Sequence, residues 1–132
     1  NEKRLDIIKL SDDEKDVIIL DQTRLPNHEE YLRIHEEEVA WKAIKLLQVR
    51  GAPAIGIFAG YSMYVLAQRY EELPYPEFLE KFRKQADYLN SSRPTAVNLS
   101  WSLKRQIKVV EDNSDKPVAE IVKLLGKEAK AI

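Results

Sequence analysis

The chain has 132 residues, with 21 lysines and arginines against 22 aspartates and glutamates, and a net charge of −1 at pH 7. This length fits one domain that buries roughly two-thirds of its unfolded surface. The near-neutral balance argues against a nucleic-acid or anionic-membrane surface, because affinity for phosphate backbones is built from excess Lys and Arg. No apolar run approaches the roughly 18 residues of a membrane span, and no secretory signal is present. We therefore expect a cytoplasmic protein with no nucleic-acid or membrane partner.

Cysteine and histidine chemistry is sparse in this sequence. The absence of cysteine excludes disulfides, thiolate metal sites and a cysteine nucleophile within these residues. His28 and His35 lie seven residues apart in a polar region without an evident partner, which argues against a zinc site. The acidic run at 36–38 fits a first helical turn, where carboxylates complement the helix dipole. We assign no metal site and no catalytic role to any of these residues.

The first 34 residues predict a small antiparallel sheet. β-branched runs at 5–10 and 16–20 flank a polar stretch at 11–15, which is typical of a hairpin. A third short run at 31–34 adds a strand to this hairpin.

Residues 35–132 predict helices. The apolar period changes to that of a helix from Glu36 to Arg50, and a second, more buried helix begins near residue 52. Three more helices are predicted from the prolines at 74 and 76, from Pro94 and from Pro117. The predicted apolar positions of the first helix are Val39, Ala40, Ala43, Ile44 and Leu47, and those of the fourth are Val97, Leu99, Trp101, Leu103, Ile107 and Val110. The fold class is therefore α+β, with a small N-terminal sheet followed by a bundle of about five helices.

Two motifs share a pattern that favours anion binding. In Arg50-Gly51-Ala52-Pro53 and in Ser92-Arg93-Pro94-Thr95, an arginine directly precedes a helix that is predicted to begin with a proline. A helix start leaves backbone N–H groups unpaired and carries partial positive charge, and arginine adds a bidentate donor. Boundary arginines and first-turn prolines are also ordinary surface features, and Ser92 could act only as a cap.

Small residues recur every four positions at Ala52, Gly56 and Gly60. Glycine within a helix costs roughly 1 kcal/mol relative to alanine, so these glycines need a compensating role. Close approach of another helix is the favoured interpretation, and approach to a ligand is the alternative.

The sequence resembles a known family at three places. Residues 49–56 (VRGAPAIG) and 89–101 (LNSSRPTAVNLSW) resemble the two N-terminal signatures of the methylthioribose-1-phosphate isomerase family, which is shared with the regulatory subunits of translation initiation factor two-B. Leu20-Asp21-Gln22 and Leu25-Pro26 resemble its opening segment. The resemblance covers residues 16 to 110.

The resemblance implies a role in methionine salvage, as part of an aldose–ketose isomerase that converts 5-methylthioribose 1-phosphate to 5-methylthioribulose 1-phosphate. It implies that Arg50, Gly51, Ala52 and Arg93 contact the substrate, mainly its phosphate, and that no cofactor or metal is needed. The family's catalytic cysteine and aspartate lie in a C-terminal Rossmann-like domain. Because this chain has no cysteine and ends before that domain, we interpret it as an N-terminal domain of residues 1–132 that contains no catalytic residue, and we expect it to be inactive alone.

Several alternatives stay open. The expected partners are a sugar phosphate and the protein's own C-terminal domain, and we expect a homodimer at full length. A second enzyme hypothesis replaces the substrate with ribose 1,5-bisphosphate. A third is a non-catalytic assembly subunit of the initiation-factor type. Proton transfer is the default chemistry for the isomerase, with a hydride shift as its alternative.

Overall fold

The N-terminal residues form a three-stranded antiparallel sheet in the order β1-β2-β3. The computed structural model describes residues 8–20, 31–45 and 52–132. Its strands are β1 (Ile8–Leu10), β2 (Val17–Leu20) and β3 (Tyr31–Ile34). Ile8 pairs with Ile19 and Val17 pairs with Ile34, and all four side chains are buried on one face. The predicted sheet is confirmed, and its alternating apolar positions form the face that packs on the helices.

The turn between β1 and β2 is held by its own side chains. Ser11 Oγ donates to Asp13 Oδ1 at 2.7 Å and accepts from the backbone N–H of Asp16 at 3.0 Å. Asp13 Oδ1 also accepts from the backbone N–H of Lys15 at 3.0 Å. Within this turn Glu14 adopts a φ of 60°, a left-handed conformation that non-glycine residues rarely take.

Five helices and one short 3₁₀ turn make up the rest of the described chain. They are α1 (Glu37–Lys45), α2 (Ala52–Ala67), the 3₁₀ turn Gln68–Tyr70, α3 (Tyr75–Asn90), α4 (Val97–Asp112) and α5 (Val118–Ala131). The predicted α+β class and helix order are confirmed. None of the helices in residues 8–20, 31–45 and 52–132 has the length and apolar character needed to cross a membrane.

Helix α2 is the centre of the molecule. It packs against α4, α5, α3 and the sheet, so that apolar side chains such as Phe58, Ala59 and Met63 are fully buried around it. A helix enclosed on several sides carries apolar residues around most of its circumference, which explains why this segment lacks a polar face.

The hairpin turn docks on α2 and α5 through Glu14. Its carboxylate accepts a hydrogen bond of 2.6 Å from the Tyr64 hydroxyl and one of 2.8 Å from Lys130 Nζ, and its backbone carbonyl accepts from Gln68 Nε2 at 2.7 Å. Burial, together with the bond to Glu14, holds the pKa of Tyr64 above its usual value. These contacts join the hairpin to α2, to the 3₁₀ turn that follows it and to the last helix, α5.

Two of the predicted helix faces are partly wrong. Val97 and Trp101 in α4 are 77% and 52% exposed, whereas Ser102 and Gln106 are buried in their place. Val39 in α1 is also exposed, while Ala40, Ala43 and Ile44 are buried as predicted, and Leu47 lies outside the described residues. The polar residues of α4 are buried because their side chains find backbone partners on α2 and α5.

Candidate functional site

The glycines of α2 allow α4 to approach closely. Ser102 Oγ donates to the carbonyl oxygen of Gly56 at 2.7 Å, and Gln106 Nε2 donates to that of Gly60 at 3.0 Å. A Cβ atom on Gly56 would lie 3.4 Å from the carbonyl oxygen of Asn98. The favoured interpretation of the glycine spacing, close helix packing, is therefore confirmed.

The same contacts show that α2 and α4 run parallel and in step. Both pairs, Gly56 with Ser102 and Gly60 with Gln106, advance by four residues along each helix. Gly56 lies four residues after the start of α2 and Ser102 lies five residues after the start of α4. With a rise of about 1.5 Å per residue, the two helices begin at nearly the same level. The starts of α2 and α4, which follow the two predicted anion-binding motifs in the sequence, thus lie at one end of the molecule.

The start of α4 differs from the prediction. The helix begins at Val97 rather than at Pro94, with Ala96 as its N-cap. Pro94 lies instead in a turn where the N–H of Ala96 donates to the carbonyl of Arg93 at 3.0 Å. Ala96 has no side-chain acceptor for the first N–H groups of the helix. The second motif therefore places Arg93 four residues before an uncapped helix start.

Ser92 belongs to the end of α3 and not to the start of α4. Its hydroxyl donates to the carbonyl of Leu89 at 2.6 Å, and its backbone N–H donates to the same carbonyl at 3.2 Å. The next N–H, that of Arg93, donates to the carbonyl of Asn90 at 3.2 Å. These tight turns continue α3 and place Arg93 at its exit.

Arg93 is partly buried and reaches a third helix. Its Nε donates to the backbone carbonyl of Ile44, near the end of α1, at 3.0 Å. This bond uses one of the five N–H donors of the guanidinium group.

The remaining predicted site residues belong to the first motif. Arg50 and Gly51 lie outside the described residues, and Ala52 is the first residue of α2. Arg50 and Gly51 directly precede this helix start in the sequence, and the start is level with that of α4. His28 also lies outside the described residues.

A cavity of about 400 Å³ lies beside the start of α4. It is lined by Pro94, Thr95, Ala96, Val97, Ser100, Trp101 and Lys104. The lining combines two hydroxyls and one cation with the exposed apolar side chains of Val97 and Trp101. This end of the molecule therefore offers hydrogen-bond donors next to an apolar surface.

The sequence analysis missed a partner of His35, which is Asp16. His35 Nδ1 lies 2.9 Å from Asp16 Oδ1, and the other oxygen of Asp16 accepts from Arg33 Nη1 at 2.9 Å. The antiparallel sheet brings residue 16, before β2, next to the end of β3, and only strand pairing could have shown this. Across residues 8–20, 31–45 and 52–132, no group of three His, Cys, Asp or Glu side chains is placed to hold a metal ion.

The chain matches a known protein family over the region that contains both motifs. The model of the initiation factor 2 subunit family matches residues 48–132, which is more than half of the chain. The chain belongs to this family. The matched range includes both motifs and every element from α2 to α5.

Two curated relatives within this family are sugar-phosphate isomerases by name. The 5-deoxyribose 1-phosphate isomerase of Petrotoga mobilis is 42% identical over 125 residues, which cover 95% of this chain and 36% of the relative. The methylthioribose-1-phosphate isomerase of Symbiobacterium thermophilum is 42% identical over 130 residues, which cover 98% of this chain and 36% of the relative. The chain thus spans about a third of the length of these relatives.

Two solved structures share the fold. The 5-methylthioribose 1-phosphate isomerase from Pyrococcus horikoshii OT3 superimposes with a TM-score of 0.88 at 37% identity, covering 95% of this chain and 35% of that one. The delta subunit of translation initiation factor eIF-2B from A. fulgidus gives a TM-score of 0.85 at 34% identity, with the same coverage. The same fold therefore occurs in a protein named as an enzyme and in one named as an initiation-factor subunit.

Proposed function

We propose that this chain is the N-terminal part of an aldose–ketose isomerase that converts 5-methylthioribose 1-phosphate to 5-methylthioribulose 1-phosphate in methionine salvage. In this proposal the chain holds the phosphate of the substrate through Arg50, Gly51, Ala52 and Arg93. The observation that supports it is the parallel packing of α2 and α4, which brings the starts of the two helices that follow these motifs to one end of the molecule. The names and identities of the curated relatives support the choice of reaction.

The physical basis is a shared anion site at two helix starts. Each helix N-terminus carries about half a positive charge and several unpaired N–H groups. Ala96 provides no side-chain cap, so the first N–H groups of α4 remain for phosphate oxygens. Arg93 contributes a full charge and a planar pair of donors, which suits bidentate contact with a phosphate.

The chemistry itself needs groups beyond this chain. The phosphate on the anomeric carbon prevents simple opening of the ring to a free aldehyde, so the enzyme must open the ring with acid–base groups in a site that excludes water. By the family resemblance, these groups are a cysteine and an aspartate in a following Rossmann-like domain. We therefore propose that residues 1–132 bind the sugar phosphate and are inactive alone. Turnover by the isolated chain would contradict this proposal.

A second substrate is favoured by a specific observation. Relatives named 5-deoxyribose 1-phosphate isomerase are 42% and 45% identical to this chain, as close as the methylthioribose enzyme. The two sugars share the 1-phosphate and differ at carbon 5, so the phosphate site proposed here serves either one. Comparing kcat/KM of the full-length enzyme for both sugars, and for ribose 1,5-bisphosphate, decides between them.

Substitution of Arg93 tests the phosphate assignment. In the full-length enzyme, Arg93→Ala should lower kcat/KM by about 10- to 150-fold, the equivalent of about 1.5–3 kcal/mol for a charge-assisted hydrogen bond. Arg83→Ala is the matched control, because Arg83 pairs with Glu111 on the exposed side of α3 and α4. Unchanged kinetics in Arg93→Ala would reject the assignment.

The assembly is a separate part of the proposal. We propose that the full-length protein is a cytoplasmic homodimer in which this chain packs on the C-terminal domain. Sedimentation velocity and cell fractionation test these statements independently of the kinetics. If the full-length protein binds no sugar phosphate but assembles with other family subunits, the initiation-factor alternative replaces the isomerase.

A further inference from the structure

Helix α1 is fastened to the turn that carries Arg93 by a tryptophan. Trp41 Nε1 donates to Ser91 Oγ at 2.9 Å, and Ser91 Oγ in turn donates to the carbonyl of Tyr88 at 2.6 Å. The Trp41 ring also stacks on the Tyr88 ring, with centroids 6.0 Å apart. The indole is therefore fixed both by its face and by its N–H.

A second bond joins the same two parts of the chain. Arg93 Nε donates to the carbonyl of Ile44, and Ile44 lies three residues after Trp41 on α1. Residues three apart are neighbours on the surface of a helix, so the two bonds join adjacent positions of α1 to the 91–93 turn. Together with the burial of Ala40, Ala43 and Ile44 in the core, these two bonds set the position of α1 against the 91–93 turn.

We propose that Trp41 is a positioning residue for the phosphate site, acting through Ser91 on the orientation of Arg93. This proposal rests on the proposed function of Arg93. The Ile44 carbonyl orients the Arg93 guanidinium, and the Trp41 bond joins α1 directly to the turn that carries Arg93.

Because the bond between Trp41 and Ser91 is exposed, its effect on substrate binding can be distinguished from its effect on folding stability. The bond between Trp41 and Ser91 lies at the surface, where water replaces a lost partner, so its removal costs little folding free energy. Bidentate contact with a phosphate depends on the angle of the guanidinium plane, so a small rotation weakens binding. Loss of the bond should therefore appear in substrate affinity before it appears in the melting temperature.

The test uses Trp41→Phe and Ser91→Ala in the full-length enzyme. Trp41→Phe keeps a smaller aromatic ring against Tyr88 and removes the indole N–H, and Ser91→Ala removes the other partner of the same bond without changing the stacking. We expect each variant to raise the KM for the sugar phosphate about 3- to 10-fold, with kcat within twofold and Tm within about 2 °C. Because both remove one bond, the double variant should resemble each single variant.

Tyr75→Phe is the matched control. It removes an aromatic side-chain donor at the opposite end of α3, where Tyr75 Oη donates to the carbonyl of Val110 at 3.2 Å. We expect its KM to be unchanged. The inhibition constant of inorganic phosphate gives a second readout and should rise in Trp41→Phe in parallel with the KM.

The outcomes distinguish this proposal from the one on which it rests. If Arg93→Ala raises the KM but Trp41→Phe and Ser91→Ala do not, Trp41 has no positioning role and the phosphate assignment stands. If Trp41→Phe lowers Tm and leaves the KM unchanged, its role is only structural and the proposal is overturned. If Arg93→Ala itself leaves the kinetics unchanged, both proposals fall together.

Discussion

Ser102 donates a 2.7 Å hydrogen bond to the carbonyl oxygen of Gly56, and this contact sets the register of α4 on α2. It forms because neither helix has a bulky side chain at the crossing point. A Cβ on Gly56 would already lie 3.4 Å from the Asn98 carbonyl oxygen and 3.9 Å from Ser102 Cβ. The level of the two helix starts, and with it the candidate phosphate site, depends on this approach.

Substitution of Gly56 tests that dependence. Gly56→Leu should destabilise the fold by about 1–3 kcal/mol, because the added atoms force α4 away from α2. Gly56→Ala is the control, since a 3.4 Å contact is nearly ordinary and the gain in helix propensity of about 1 kcal/mol offsets it. Urea unfolding measures both. Equal stabilities of the leucine variant and the wild type would show that the helices do not need the glycine.

Gly126 in α5 should tolerate alanine less well than Gly56 does. A Cβ there would lie 2.7 Å and 2.8 Å from two atoms of the Tyr64 ring. This ring cannot move freely because its hydroxyl is bonded to Glu14. We expect Gly126→Ala to lose about 1–2 kcal/mol despite its better helix propensity. Thermal unfolding of Gly126→Ala beside Gly56→Ala measures the difference, and a more stable Gly126→Ala would contradict the packing described here.

Gln106 should be intolerant of a negative charge. It is fully buried, and its Nε2 donates to the carbonyls of Gly60 and Leu125 at 3.0 Å and 3.1 Å. In Gln106→Glu, two carbonyl oxygens would face a carboxylate, so the folded state would favour the protonated acid and raise its pKa. The variant should lose about 2–4 kcal/mol at pH 7, with less loss as the pH falls toward 4.

Gln106→Met provides the neutral comparison for this experiment. It removes both donors without adding charge, so its destabilisation should not change between pH 7 and pH 4. Denaturant unfolding at the two pH values checks both variants. A destabilisation of Gln106→Glu that is the same at both pH values would contradict the charge argument.

The contacts of Glu14 predict a loss of stability in acid. The hydrogen bond from Lys130 is the main reason, and the one from Tyr64 the second, that the pKa of Glu14 lies below its usual range. A carboxyl with a lowered folded-state pKa stabilises the fold above its unfolded pKa, and this contribution disappears as the pH falls through the folded pKa. Glu14→Gln should therefore cost about 1 kcal/mol at pH 7, and this cost should shrink as the pH falls below the unfolded pKa and through the lowered folded pKa.

Comparison of wild type and Glu14→Gln across pH 2–7 checks this prediction. Lys130→Met removes the lysine that bonds to Glu14, and it should flatten the same part of the plot of unfolding free energy against pH. Parallel stability profiles of wild type and Glu14→Gln would show that Glu14 titrates in the same way in the folded and unfolded chain.

The exposed and buried faces of α4 give the simplest test of the fold. Val97 is 77% exposed and Leu99 is fully buried, although both were predicted to be apolar contacts. Val97→Ser should change the free energy of unfolding by less than about 0.5 kcal/mol, whereas Leu99→Ala should cost about 2–5 kcal/mol. Similar losses in both variants would show that Val97 is covered in the isolated chain.

The element order was readable from the sequence because its signals are local. β-branched runs, a change of apolar period at residue 36 and prolines near helix starts act within a few residues. They predicted, in the correct order, the three strands and five helices found in residues 8–20, 31–45 and 52–132. The prediction that α4 begins at Pro94 was wrong, because Pro94 lies inside a turn that the hydrogen bond from the Ala96 N–H to the Arg93 carbonyl closes. Proline is favoured both in such a turn and at the first position of a helix, so the local sequence does not distinguish the two.

The faces of α4 and the arrangement of the site were decided by tertiary structure alone. A hydropathy pattern ranks Ser102 and Gln106 as surface residues, yet both are buried, because the glycines of α2 bring carbonyl acceptors within reach of their side chains. The sequence by itself determined that two arginine motifs each precede a helix. Only the packing decided that those helices run parallel and begin at one level, because that relation depends on contacts between residues 46 positions apart in the chain.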